Sequence, residues 1–198
     1  MARAAKGSAF EREICGKLGM WWDGRDDIFW RAAQSGGRAK FRGRKGKDTH
    51  GQHGDIIAVD PIGEPLIDLF TIELKRGYST LTVFDLVDKP PTAAQQGWEK
   101  WHQQVRESHE QAGSFSWWII SRRDRRLPML YMPTNTFDEI GASSGIDWQV
   151  YLYLECELEL RREGKPKGTM FESISAVLLD QFLGEIQPEQ IKDMANLC

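Results

Sequence analysis

The spacing of apolar residues divides the first two-thirds of the chain into short helical and extended segments. An apolar residue recurs at every fourth position from Phe10 to Leu18, where residues 8–11 have the Ser-x-x-Glu form of a capping box, so we predict a first helix over about residues 8–20. A second helical stripe spans about residues 92–113. Alternating or continuous apolar runs predict five strands, at residues 28–33, 54–60, 67–75, 115–120 and 127–132.

The last third of the chain has a less regular pattern. Residues 148–160 alternate well enough for a long strand, although their glutamates could equally line a helix, and residues 171–184 and 188–196 predict two helices. The order of helix, three strands, helix and two strands predicts an α/β fold with a mixed β-sheet flanked by helices. We expect residues 1–137 to form the core and residues 138–198 to form an acidic C-terminal extension packed on it.

Composition narrows the class of protein. The chain has 198 residues, of which 40% are hydrophobic and 28% are charged, values typical of a soluble globular protein. No apolar run approaches the ~20 residues of a membrane span, and the N-terminal residues lack the apolar core of a signal peptide, so we expect a cytoplasmic protein without membrane contact. The scattered cysteines predict neither disulfides nor a zinc site: Cys15, Cys156 and Cys198.

The net charge of −3 conceals two regions of opposite sign. Residues 1–137 hold 21 basic and 17 acidic residues, a net charge of +4, whereas residues 138–198 hold 5 and 12, a net charge of −7. Contact with a phosphate backbone is favoured over a solvated surface for one basic segment, and the two interpretations are equally open for a second. The first is a glycine-rich segment that we predict to be a loop, with Arg31, Arg38, Lys40, Arg42, Arg44, Lys45 and Lys47. The second is a turn with Arg122, Arg123, Arg125 and Arg126.

Charged residues interrupt two otherwise apolar runs. Asp55 follows Gly54 at the start of one run, and Glu73 and Lys75 lie in the next, where strand alternation puts them on one face. The turn-rich stretch at residues 60–65 predicts a hairpin that brings Asp55 beside Glu73. Two carboxylates at one sheet edge can hold a hard divalent cation, with the lysine as a fixed positive charge beside it. The alternative is a surface ion pair, but charges within apolar strands are costly to bury.

These residues and their order resemble the PD-(D/E)xK nuclease superfamily. The resemblance rests on Glu11 in the first helix, Ser35-Gly36-Gly37, Gly54-Asp55-Ile56 and Glu73-Leu74-Lys75, and it covers roughly residues 7–132. Order and spacing are most similar to those of archaeal-type Holliday junction resolvases and related phage endonucleases. The chain departs from the name of the superfamily in having a glycine before Asp55, and this glycine is common in the resolvase-like branch.

The resemblance implies a restriction-endonuclease-like core and a Mg²⁺- or Mn²⁺-dependent endonuclease that acts on DNA. The implied metal ligands are Asp55, Glu73, the backbone carbonyl of Leu74 and, directly or through water, Glu11. Lys75 would orient the attacking water or stabilise charge on the phosphate, Ser35 would lie beside that phosphate, and Gln95 would help to position the water. Branched DNA is the expected substrate, and paired cuts across a junction imply a homodimer.

The sequence leaves alternatives open. The chain could be a restriction-type or linear-duplex nuclease, or a DNA-binding protein that keeps the fold without catalysis. A helix-capping role would also explain Glu11. For His50 and His53, a loop position or a phosphate contact is favoured over a metal site. The periodic placement of four tryptophans favours core packing over stacking on splayed bases: Trp98, Trp101, Trp117 and Trp118.

Overall fold

The computed structural model of the protein describes residues 3–32, 53–78, 81–88, 97–144, 152–160 and 168–196. The predicted basic loop after residue 32 and the predicted helix start at residues 92–96 lie outside these ranges. The helices within them are α1 (Arg3–Asp23), α2 (Glu64–Leu69), α3 (Gly97–Ala112), α4 (Thr134–Ser144), α5 (Leu179–Glu185) and α6 (Pro188–Ala195). None of these described helices is long and apolar enough to cross a membrane. The strands there are β1 (Phe29–Arg31), β2 (Ile56–Ala58), β3 (Phe70–Gly77), β4 (Ser116–Arg123), β5 (Met129–Pro133), β6 (Leu152–Leu160) and β7 (Gly168–Leu178).

Five of these strands form a mixed sheet in the order β3-β4-β5-β7-β6. β3 and β4 are parallel, with Glu73 opposite Ile119, and the other neighbouring strands are antiparallel. α3 lies between β3 and β4 in the chain and supplies the crossover that a parallel pair requires. β1 and β2 form a separate antiparallel pair. The predicted α/β class, with a mixed sheet flanked by helices, is confirmed.

The first helix starts earlier than predicted. α1 begins at Arg3, so the Ser-x-x-Glu sequence at residues 8–11 lies inside the helix, and its interpretation as a capping box is wrong. Residues 3–6 include two alanines, an arginine and a lysine, which are good helix formers, and this composition explains the earlier start. The apolar stripe from Phe10 to Leu18 is buried, as its spacing predicts.

The predicted hairpin joining strands at residues 54–60 and 67–75 is wrong. β2 pairs with β1 instead, and α2 lies between β2 and β3. The turn-rich stretch carries the signals of helix starts. Asp60 accepts a hydrogen bond from the Ile62 amide, and a proline stands in the first turn of each of the two short helices that follow. The third strand therefore begins at Phe70 rather than at residue 67.

Residues 152–178 contribute two strands to the sheet. Residues 152–160 form a strand, which decides between the two alternatives for this segment, and the helix predicted from residue 171 is wrong up to residue 178. β7 pairs with β5 on one side and β6 on the other, and these partners impose an extended backbone on a sequence of mixed propensity. α6 confirms the helix predicted at residues 188–196.

Two apolar cores lie on opposite faces of the sheet. Trp118 belongs to the core that includes α1, where it stacks on Phe70 with 4.3 Å between ring centroids. Trp117 belongs to the core beneath α3, together with Trp98 and Trp101. Adjacent strand residues point to opposite faces, which explains why two consecutive tryptophans are both buried. The predicted core packing of the four tryptophans is confirmed.

Candidate active site

The backbone of Gly54 and Asp55 lies against the edge of β3 that does not face β4. The Asp55 amide donates to the Ile72 carbonyl at 2.7 Å, and the Leu74 amide donates to Asp55 Oδ2 at 2.8 Å. Gly54 has a φ of +91°, and a side-chain carbon there would lie 2.7 Å from the Ile72 carbonyl oxygen. Glycine allows this approach and this φ, and in that way Gly54 positions the Asp55 carboxylate on β3.

Glu73 and Lys75 extend from one face of β3, as strand alternation predicts. Both side chains are buried, with 2% and 9% of their surface exposed, and Lys75 Nζ donates to Glu73 Oε2 at 2.9 Å. Burial, and after it the nearby charge of Asp55, raise the pKa of Glu73 to about 7, although Lys75 acts in the opposite direction. The structure therefore brings Asp55, Glu73 and Lys75 together, with two carboxyl groups beside one ammonium group.

Gln104 of α3 completes this network, and sequence reasoning missed it. Its Nε2 donates to Glu73 Oε2 at 2.7 Å, and its Oε1 accepts from Lys75 Nζ at 3.0 Å. The signal that could have found it is its place one helical turn after the buried Trp101, at the flank of the apolar stripe. Gln95, the glutamine predicted for this helix, lies outside the described residues.

Glu11 lies on α1, where it meets a predicted DNA contact. Arg31 Nη1 donates to Ser8 Oγ at 2.8 Å and lies 3.4 Å from Glu11 Oε2. Burial, and after it the charge of Glu11, raise the pKa of the Cys15 thiol to about 12, and Asp55 adds to this effect. Both carboxylates are thus close enough to act on one thiol of α1. The metal-binding role of Glu11 and the DNA-binding role of Arg31 stay predictions.

The predicted arginine-rich turn is only partly correct, because Arg122 and Arg123 end β4, whereas Arg125 and Arg126 lie between β4 and β5. Arg122 is anchored to α1. Arg122 Nη2 donates to Glu13 Oε2 at 2.7 Å, and its guanidinium lies 4.7 Å from the centroid of the Phe10 ring. The hydrogen bond from Arg122 lowers the pKa of Glu13. The other three arginines of this segment are exposed: Arg123, Arg125 and Arg126.

Several predicted site residues cannot be placed on this fold because they lie outside the described residues. They are the predicted phosphate-adjacent serine, most of the basic segment and one histidine: Ser35, Arg38, Lys40, Arg42, Arg44, Lys45, Lys47 and His50. Their roles stay predictions.

The carboxyl pair fits a divalent cation by its donor chemistry. Within the described ranges, no three side chains of His, Cys, Asp or Glu are grouped so as to hold a metal ion. Mg²⁺, however, is commonly bound by one or two carboxylates together with substrate phosphates and water, and oxygen donors also suit Mn²⁺. Asp55 and Glu73 offer such a pair, both buried and with more negative charge than one lysine balances.

An edge strand that carries Glu-x-Lys, an aspartate docked on that edge and a mixed sheet between helices define a nuclease of the PD-(D/E)xK superfamily with a restriction-endonuclease-like core. Comparison with family models agrees over nearly the whole chain. Residues 2–193 match the family described as "Phage putative PDDEXK endonuclease", and the chain belongs to this family. No curated protein and no solved structure matches it. Membership makes the protein a nuclease of endonuclease type, with DNA as the implied substrate.

Proposed function

We propose that this endonuclease depends on Mg²⁺ or Mn²⁺, cuts branched DNA in preference to linear duplex, and acts as a homodimer. The observation that carries the metal dependence is the buried pair of Asp55 and Glu73, whose mutual repulsion a divalent cation would relieve. The preference for branches is supported by the similarity of residues 7–132, in motif order and spacing, to Holliday junction resolvases. A two-fold dimer would place one active site on each of two strands.

Asp55 and Glu73 would hold the cation, with Glu11 and the Leu74 carbonyl as further ligands. When bound, the cation would lower the pKa of a coordinated water and offset charge on the phosphate. The Leu74 amide already orients the Asp55 carboxylate, and Gly54 fixes the backbone that carries it. The Asp55 carboxylate is therefore already oriented before substrate binds, and such preorganisation favours catalysis.

Lys75 would act on the phosphate by charge and by hydrogen bonding. An ammonium group has three N–H donors and no acceptor, so as long as it is charged it cannot accept a proton from water. Two of the donors of Lys75 are directed to Glu73 and Gln104, which leaves a third for a phosphate oxygen or the attacking water. Its buried position strengthens the interaction with the negative charge that develops there.

Gln104 would act as a positioning residue. It bonds to Glu73 through its amide nitrogen and to Lys75 through its carbonyl oxygen, and so it fixes the distance between the two. An amide side chain can bridge the two residues without adding charge. The negative charge that the carboxylates offer to a cation is therefore unaffected.

The proposed reaction is a direct hydrolysis of the phosphodiester. The water oxygen forms a bond to phosphorus as the bond from phosphorus to the 3′ oxygen breaks. The water loses a proton, and the departing 3′ oxygen gains one. The products are a 5′-phosphate and a 3′-hydroxyl end.

The test is cleavage of an end-labelled four-way junction and its matched linear duplex, by wild type and Glu73→Ala, with Mg²⁺ and with EDTA. Paired Mg²⁺-dependent nicks at the junction, absent in the variant, would support the proposal. Equal cutting of both DNAs would indicate a linear-duplex or restriction-type nuclease and remove the branch preference. Binding without cutting of either DNA, with Mg²⁺ or Mn²⁺, would favour a non-catalytic DNA-binding protein. Light scattering would decide between monomer and dimer.

A further inference from the structure

A cavity of about 480 Å³ opens beside the proposed catalytic lysine. It lies between the end of β3, the 3₁₀ turn Val83–Leu86, α3 and the turn from β4 to β5. Lys75 forms part of its wall, so the cavity and the carboxyl network share a side chain. The volume is within the range of small-molecule sites, roughly 300–1,000 Å³.

Aromatic side chains supply part of the apolar wall of the cavity, beside aliphatic residues such as Leu81 and Leu127. Trp98, Trp101 and Tyr131 line it, and Tyr78 packs edge-to-face on Trp101 with 4.9 Å between ring centroids. Tyr78 is 42% exposed, and Phe84, which also lines the cavity, is 65% exposed. Flat aromatic surface is therefore present both inside the cavity and at its mouth.

The backbone that presents Tyr78 is strained. Its φ is +32°, and the preceding Gly77 has a φ of +101°. A left-handed conformation is unusual for a bulky non-glycine residue, and such strain is found more often at functional sites than elsewhere. The conformation turns the chain at the end of β3, three residues after Lys75, where the tyrosine lines the cavity.

The polar part of the cavity has one sign of charge. Its basic lining residues include Lys75, Arg123, Arg125 and Arg126, and Arg122 also lines it, although its guanidinium is paired with Glu13 of α1. None of the lining residues in the described part of the chain is acidic. Asp124, in the same turn, is paired with Arg76 at 2.8 Å and does not line the cavity. The matching ligand has a flat aromatic part and negative charge beside it, which is the chemistry of a nucleotide rather than of an apolar peptide.

We propose that this cavity receives one unstacked nucleotide of the DNA substrate. The base would lie against Tyr78 and Trp101, and the exposed arginines of the turn would contact the phosphates on either side of it. Because Lys75 belongs to both sites, the phosphodiester that is cut lies close to this nucleotide in the strand. The proposal deepens the proposed function, since it takes DNA as the substrate.

Such a site gives a physical basis for recognising branched DNA. Removing a base from a continuous duplex breaks its pairing and stacking, and this cost is smallest where the base is already unpaired. A cavity that stacks one base would therefore favour junctions, bulges and gaps over perfect duplex without reading the sequence.

The test compares binding of two DNAs in EDTA, where cleavage is absent. One is a duplex with a single unpaired 2-aminopurine nucleotide, and the other is the matched, fully paired duplex. We expect wild type to prefer the bulged DNA by about tenfold and to quench its fluorescence, since one base stacked on an aromatic side chain has an effect of this order. Tyr78→Ala should remove the preference and weaken the quenching, and Tyr78→Phe, which keeps the ring, should retain both.

Phe171→Ala is the matched control, because Phe171 is also an exposed aromatic residue, 67% exposed, but lies on β7 and does not line the cavity. It should bind both DNAs as wild type does. An unchanged preference in Tyr78→Ala, with a wild-type circular dichroism spectrum, would overturn the proposal. So would a preference that falls in the Arg125→Ala, Arg126→Ala double variant while Tyr78→Ala remains normal, because phosphate contacts alone would then explain binding.

Failure of this inference can be told apart from failure of the proposed function. A chain that cuts no DNA but prefers the bulged duplex through Tyr78 would keep the nucleotide site and lose the reaction. A chain that cuts junctions through Glu73 but shows no effect of Tyr78 would keep the reaction and lose the nucleotide site. Quenching of free 2-aminopurine deoxynucleotide to the same extent at equal concentration would assign the cavity to free nucleotides and overturn its role in DNA recognition.

Discussion

Two glutamates with little solvent exposure lie beside α3, and their charges are balanced in opposite ways. Glu73 of β3 has a second carboxyl group, Asp55, as a neighbour, and burial together with that charge raises its pKa to about 7. Glu172 of β7 has two basic neighbours on α3, with His102 Nε2 at 3.0 Å and Arg106 Nη1 at 2.9 Å from its Oε2. Burial acts on the pKa of Glu172 too, but the interactions with His102 and Arg106 outweigh it and lower that pKa.

The comparison shows that a carboxylate with little solvent exposure is not by itself a sign of metal binding. Negative charge is in excess around Glu73, and a cation supplied from solution would relieve it. Around Glu172 the protein supplies the positive charge itself, and the result is a link between α3 and β7. We therefore propose a chemical role for the first glutamate and a structural role for the second.

The largest expected effect is on the rate of cleavage. Glu73→Gln keeps the shape of the side chain but removes a charged metal ligand, so we expect the rate with Mg²⁺ to fall by about a thousandfold or more. Glu172→Gln should leave the rate on the same substrate unchanged. Initial rates on the preferred DNA measure both. An equal loss in the two variants would break the distinction, because it would mean that both networks support activity through folding alone.

The stability of the metal-free protein should depend on pH with opposite sign at the two glutamates. Folding raises the pKa of Glu73 from 4.5 to about 7, so its contribution is fully present below about pH 4.5 and is lost as the pH rises through 7. By pH 8 the loss is on the order of 3 kcal/mol. Folding lowers the pKa of Glu172, so its contribution is present above about pH 4.5 and is lost as the pH falls through the lowered value.

Urea unfolding in EDTA at pH 5 and pH 8 measures these contributions. Glu73→Gln should flatten the fall in the free energy of unfolding between the two values and should be more stable than wild type at pH 8. Glu172→Gln should be less stable than wild type at pH 8. Adding Mg²⁺ should reduce the pH dependence of wild type but not that of Glu73→Gln. Wild-type stability that is equal at both pH values would contradict the charge excess around Glu73.

The two sites also differ in backbone geometry. Glu172 lies in a regular strand pair, opposite Cys156. Asp55, the acidic neighbour of Glu73, is held beside β3 by the left-handed backbone of Gly54. Gly54→Ala would place a carbon 2.7 Å from the Ile72 carbonyl oxygen, so we expect a loss of about 2 kcal/mol in stability and about a hundredfold in rate.

Gly113→Ala is the control for that substitution, because Gly113 also has a positive φ, +65°, but its added carbon would meet nothing within 4 Å. It should cost about 1 kcal/mol of stability and leave the rate unchanged. If the two variants lose the same activity, strain at glycine and not the placement of Asp55 would account for the effect.

The active-site strand could be predicted because its information is local. Alternation alone puts Glu73 and Lys75 on one face, and apolar neighbours indicate that the strand is buried. The position of Asp55 beside this strand also agrees with the prediction, but the predicted hairpin that was to bring it there does not form. The turn signals at residues 60–65 fit a hairpin and a helix start equally well, and the pairing of β2 with β1 depends on a segment far away in the chain.

The pattern of apolar and polar residues could not identify features that depend on tertiary packing. The strand β7 carries a sequence that also fits a helix, and its two neighbouring strands decide its conformation. Gln104 is one of several glutamines near the second helical stripe, and its selection depends on how α3 packs against β3. The helical period predicts on which face of the helix a residue lies, but not which residue of a neighbouring strand it contacts.

The smallest effect we predict separates two adjacent glutamines of α3. Gln104→Ala leaves the direct contact between Lys75 and Glu73 but removes the amide that bridges them. We expect the maximal rate to fall by about tenfold, as it does when residues that orient metal ligands are removed. The Mg²⁺ concentration for half-maximal rate should change little, because an amide contributes no charge to the cation. Gln103→Ala is the control, since Gln103 Nε2 is bonded to Glu107 at 2.7 Å on the same helix. A Mg²⁺ requirement that rises in step with the loss of rate in Gln104→Ala would place this glutamine with the metal ligands instead of with the lysine.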